Sequence, residues 1–100
     1  MIVVTGTVRV RADRRAEAAA VAREMAAATR REAGCVSYRF ATDLDDPDTI
    51  CIVEEWESAE ALRRHFATPH MATFQARIPE LVAGPPAITF YEATPTNPLG

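Results

Sequence analysis

Two alternating runs on either side of one acidic turn limit the fold more than any other feature of the chain. In Cys35–Thr42, Val36, Tyr38 and Phe40 share one face, and Cys35, Ser37, Arg39 and Ala41 share the other. In Thr49–Trp56, Ile50, Ile52, Glu54 and Trp56 alternate with Cys51, Val53 and Glu55. A period of two is the mark of a strand, whose successive side chains point to opposite faces. The linking stretch DLDDPD, Asp43–Asp48, is rich in residues that stabilise turns and resist pairing, so the two runs read as a hairpin.

The flanks extend the pattern. Ile2–Arg11 alternates Ile2, Val4, Gly6, Val8 and Val10 against Val3, Thr5, Thr7, Arg9 and Arg11, a first strand. Asp13 is placed to cap a helix from Arg14 to about Arg31, where alanine and arginine dominate and Ala18, Val21, Ala22, Met25 and Ala28 form a slim apolar stripe. Gly34 supplies the left-handed residue that a helix exit commonly needs. After the hairpin, Ser58 caps a short helix carrying Ala61, Leu62, His65 and Phe66. Thr68 and Pro69 then start another through Met71, Phe74, Ile78, Leu81 and Val82, with Pro79 expected to end or bend it. Gly84–Pro86 is a turn, Ala87–Ala93 a last strand, and Thr94–Gly100 a loose tail.

The order β-α-β-β-α-β over residues 1–93 predicts a single α+β domain of ferredoxin-like form, an antiparallel sheet with its helices on one face. A chain of 100 residues buries only a little over ~60% of its extended surface, so its core is small. The second sheet face is also partly apolar and has no helix to cover it; a homodimer through that face is the simplest remedy. Eleven basic residues against fourteen acidic ones, a net charge of −3, argue against nucleic acid as a partner. No apolar run is long enough for a membrane span, and no basic segment precedes the first apolar run as in a secretory signal; a cytoplasmic location is expected. Cys35 and Cys51 are then reduced, small apolar side chains, expected on neighbouring strands of the face opposite Tyr38 and Trp56, where they approach one another at the dimer face.

GCVSY (Gly34–Tyr38), EEWESAEALRRHFATPH (Glu54–His70) and the closing strand together resemble the antibiotic biosynthesis monooxygenase family across Ile2–Ala93. The resemblance implies a dimeric ferredoxin-like protein with a pocket between sheet and helices in each subunit. It further implies oxidation of a quinol, phenol or polyketide-type aromatic by dioxygen without flavin or metal, the substrate anion serving as reductant. Two other functions fit the same fold: a non-catalytic binder of aromatic small molecules, and an isomerase of small carbonyl or sugar-like compounds.

Trp56 resembles the family tryptophan, with an indole N–H for a substrate oxygen and a ring to stack on the substrate. His65 and His70 are the only histidines and the candidate general bases; a helix break at Pro69 brings them together although they are five residues apart. Anthrone-oxidising relatives carry an asparagine four residues before the tryptophan and a tyrosine six after it. Here those positions are Ile52 and Leu62, so chemistry passes to His65, His70, Tyr38 or an arginine. Tyr38, Ile52, Leu62, Phe66, Phe74 and Arg77 are the expected pocket residues, Arg77 and Arg39 being candidates to steady an anion. No metal site is expected, because Glu54, Glu55 and Glu57 form no compact ligand motif with the histidines. Haem is not expected either: the asparagine-tryptophan-histidine set of the haem-degrading relatives is not reproduced, the first strand having Thr5 and Thr7 and no asparagine.

Overall fold

The computed structural model describes all 100 residues. Its elements are β1 (Ile2–Arg9), a single 3₁₀ turn (Ala12–Arg14), α1 (Arg15–Thr29), β2 (Cys35–Thr42), β3 (Thr49–Trp56), α2 (Ala59–Phe66), α3 (Pro69–Leu81) and β4 (Ala87–Glu92). The four strands form one antiparallel sheet in the order β2-β3-β1-β4, the ferredoxin-like arrangement expected from the periodicity. In register, Val4 faces Glu54 and Phe90, and Gly6 faces Ile52 and Ile88. A Cβ on Gly6 would fall 2.6 Å from the Ala87 carbonyl oxygen, so only glycine lets β4 approach β1 this closely.

All three helices pack on one sheet face. Val4, Tyr38 and Trp56 from the strands meet Met25 and Ala26 of α1, Ala61 of α2 and Met71 of α3 in the main core. A second cluster, Val10, Ala18 and Leu81, closes the other end. The alanine stripe of α1 accounts for the closeness, since short side chains leave little between helix and strands. On the opposite face Val53 and Tyr91 remain about half exposed.

Local chemistry decides the helix ends. Ser58 accepts the Ala61 N–H at 3.1 Å, and Thr68 accepts the Met71 N–H at 3.3 Å, both as expected of N-caps. Asp13 does not cap α1; its carboxylate binds Arg11, and the chain enters the helix through the 3₁₀ turn instead. Pro79 does not stop α3, which runs to Leu81; a proline in the last turn removes one backbone bond and leaves little helix to disrupt. Gly34 does have a positive φ, +87°, but five residues beyond α1, where it shapes the turn into β2. A Cβ there would lie 2.5 Å from that of Ala61, and its carbonyl accepts the Glu57 N–H at 2.8 Å. This turn therefore docks directly on α2.

One irregularity corrects the expected strand faces. A shift of register between Cys35 and Ser37 pairs Cys35 with Trp56, on the helix side, and leaves Val36 half exposed. Cys51 pairs with Ala41 near the other end of the hairpin. The two thiols thus sit at opposite ends and opposite faces, and do not approach one another. No helix is long and apolar enough to cross a membrane.

Candidate functional site

The site begins with strand alternation. Glu54 and Trp56, two residues apart on β3, project from the same face, and the Trp56 Nε1–H donates to Glu54 Oε1 at 2.9 Å. Both are buried. Burial pushes the Glu54 carboxyl above its usual pKa, the indole N–H pulls it back down, and the charge of Glu32 adds to the rise. Tyr38 stands opposite Glu54 on β2 and is equally enclosed; burial and the neighbouring Glu54 charge hold its hydroxyl protonated far above the ordinary range.

Beside this pair a cavity of about 440 Å³ runs between the sheet and helices α1 and α3. Its size suits a small ligand. Of the 22 residues lining it, only Glu54 and Tyr38 titrate, so they are the protein groups able to exchange a proton with a bound molecule. The rest of the wall is almost entirely apolar and includes Ile52, Phe66, Met71, Phe74 and Phe90. Phe90 is 55% exposed because its edge strand β4 packs chiefly against β1, and this marks the open side of the cavity.

Behind the wall lies a second polar group. His65 is 1% exposed, its ring tilted against Trp56 at a centroid distance of 4.9 Å and against Tyr38 at 5.5 Å. Its Nδ1 lies 2.7 Å from Glu32 Oε2, and His70 Nε2 lies 2.7 Å from the same oxygen. The break between α2 and α3 at Thr68–Pro69 brings the histidines to one point, as the sequence predicts.

Four expected pocket residues, Tyr38, Ile52, Phe66 and Phe74, line the cavity. Leu62 does not; it packs on the outside of the main core. Nor does Arg77, whose guanidinium is drawn to Glu17 on α1 and Glu80 on its own helix. Arg39 is exposed, its β2 register placing it opposite Val53 on the outer face. Trp56, His65 and His70 lie outside the lining as well: the indole N–H is spent on Glu54, and both imidazoles turn to Glu32.

Two residues of the site escaped the sequence reading. Glu54 enters there only as a candidate metal ligand, although its placement two residues before Trp56 on an otherwise apolar strand face is a usable signal. Glu32 gave none, since it sits in an irregular turn whose side-chain direction only tertiary packing sets.

Comparison with known proteins agrees with this geometry. The sequence profile described as "Antibiotic biosynthesis monooxygenase" matches residues 1–77. The chain is 34% identical over 98 residues to "Uncharacterized protein sll1783" of Synechocystis sp., covering 98% of this chain and 67% of that one. It is 33% identical over 79 residues to "Putative monooxygenase Rv0793" of Mycobacterium tuberculosis, covering 79% of this chain and 77% of the relative. Among solved structures, a "putative antibiotic biosynthesis monooxygenase" from Deinococcus radiodurans superimposes with a TM-score of 0.91 at 31% identity, with 100% of both chains covered. With its sheet order, its cavity and the profile match in agreement, the chain belongs to the antibiotic biosynthesis monooxygenase family.

Proposed function

We propose that this protein is a cofactor-independent monooxygenase of small electron-rich aromatics, quinols above all, and that Glu54 is its general base. The observation that carries this reading is a lone buried carboxylate, its pKa raised, on the wall of an otherwise apolar cavity. A phenol is a weak acid with a pKa near ~10 in water. A carboxylate whose pKa is raised by burial is a better acceptor for its proton than an exposed one. The apolar wall keeps water out and favours transfer of an electron from the resulting anion to dioxygen. Neutral Tyr38, opposite Glu54 on the cavity wall, is placed to donate to the anionic oxygen.

For a hydroquinone the reaction balances as follows. One atom of dioxygen enters the ring as a hydroxyl and the other leaves as water. The substrate supplies all four electrons and departs as the hydroxyquinone. Trp56 fixes the Glu54 carboxylate through its N–H, and His65 holds the indole in place through its tilted ring contact.

Chelator-treated protein is expected to consume oxygen above the autoxidation rate with at least one member of a panel of hydroquinones, naphthoquinols and anthrones, read with an oxygen electrode. Quenching of the single tryptophan by panel members without oxygen uptake would instead identify a binding protein. Turnover of a carbonyl substrate without oxygen would identify an isomerase.

The protein is further proposed to work as a homodimer through the outer sheet face, where Val53 and Tyr91 stay exposed. Val53→Glu places a charge at the middle of that face, opposite Thr5 and Arg39, and is expected to shift sedimentation from dimer to monomer without altering the far-UV spectrum. An unchanged dimer in the variant would move the interface elsewhere.

A further inference from the structure

The geometry points to a binding site for a first-row divalent transition cation, zinc above all, formed by Glu32, His65 and His70 and separate from the cavity. The three donor atoms come from three places in the chain: the turn between α1 and β2, the end of α2 and the first turn of α3. They lie within 4.8 Å of one another, with both imidazole nitrogens 2.7 Å from Glu32 Oε2. A tetrahedral ion with bonds of about 2.1 Å holds its ligand atoms about 3.4 Å apart, so the two nitrogen–oxygen contacts need to open by about 0.7 Å and the two imidazole nitrogens, within 4.8 Å of each other, to close by no more than about 1.4 Å. His70 can supply that movement, because its side chain is 26% exposed at the start of a helix. His65, fixed by the rings of Trp56 and Tyr38, is the rigid member.

The charge pattern supports the same conclusion. Arginine side chains pair with Asp13, Glu17, Asp46, Asp48 and Glu80, whereas Glu32 pairs only with the two imidazoles. Two imidazole nitrogens and one carboxylate suit zinc, cobalt or nickel; magnesium and calcium prefer oxygen ligands throughout. Three protein ligands leave a fourth position, which opens to solvent on the His70 side. The bound cation would tie the turn that carries Glu32 to the junction of α2 and α3. Glu32 lies outside the group of carboxylates near Trp56 on which the expectation of no metal site rests.

The test is a calorimetric titration of untagged, chelator-treated full-length protein with zinc chloride, repeated with cobalt chloride in a visible spectrophotometer. One equivalent of zinc is expected to bind and raise the melting temperature, and cobalt to give the intense visible bands of a tetrahedral site. His70→Ala and Glu32→Gln, both at partly accessible positions, should each weaken zinc binding by roughly tenfold or more. Failure to bind zinc stoichiometrically, or binding unchanged in His70→Ala, overturns the site. Glu54→Gln should bind zinc like the parent protein, so failure of the proposed oxygenase activity leaves this result independent.

Discussion

Glu54→Gln is expected to lower kcat toward a quinol by about 10²–10⁴, the usual contribution of a positioned general base. Glutamine preserves the shape of the side chain and an oxygen for the Trp56 N–H, but it cannot accept the phenolic proton. In the parent protein the base acts when ionised, so kcat/KM should rise with pH through the raised Glu54 pKa and then level off. The variant should lose that limb. Stability separates this loss from misfolding. Because the folded-state pKa lies above the ordinary 4.5, the favourable contribution of neutral Glu54 is complete below that value and is lost as pH rises through the folded pKa. Glutamine stays neutral throughout, so the variant should gain in relative stability as pH increases over that window. Thermal melts at pH values from about 4 to 8, run beside oxygen uptake, measure both effects. Full turnover in Glu54→Gln would falsify the assignment of the base.

Trp56→Ala is expected to cost about 3–5 kcal/mol, the usual range for removing a large buried aromatic side chain. The ring is completely enclosed in the main core, where it meets Tyr38 and His65, so its removal leaves a void and frees the imidazole. Against a typical domain stability of about 5–15 kcal/mol, this loss should be plain in urea or thermal unfolding. Trp56→Phe divides the role of the residue into its parts. Most of the apolar volume remains, while Glu54 loses its buried donor at a cost of about 1–3 kcal/mol. The indole N–H lowers the Glu54 pKa, so its loss should raise that pKa further and displace the pH–rate limb toward alkaline pH. A limb that stays in place would mean that the indole supports the core without tuning the carboxylate.

The contrast between these residues explains what could be foreseen. Strand alternation requires nothing beyond neighbouring residues, so β2 and β3 were legible to the residue and the helix caps Ser58 and Thr68 could be named. The same logic placed Tyr38, Ile52, Phe66 and Phe74 near a cavity, because residues on one strand or helix face meet the same space. It misplaced Cys35, since a bulge inserts one residue that no local pattern announces. It also offered Arg77 to the cavity, although its helix turns the guanidinium toward Glu17, sixty positions away in the chain.

The chain's own periodicity and punctuation thus determined the element order, the sheet and its helix-covered face, because these depend on interactions within a few residues. Which groups meet across elements was decided only by the tertiary structure. The indole is spent on Glu54, the two histidines turn to Glu32, and a single carboxylate is left on an apolar wall. Those contacts depend on how the α1–β2 turn docks on α2, through the close fit of Gly34 against Ala61, and that packing geometry has no repeat in the sequence from which to read it.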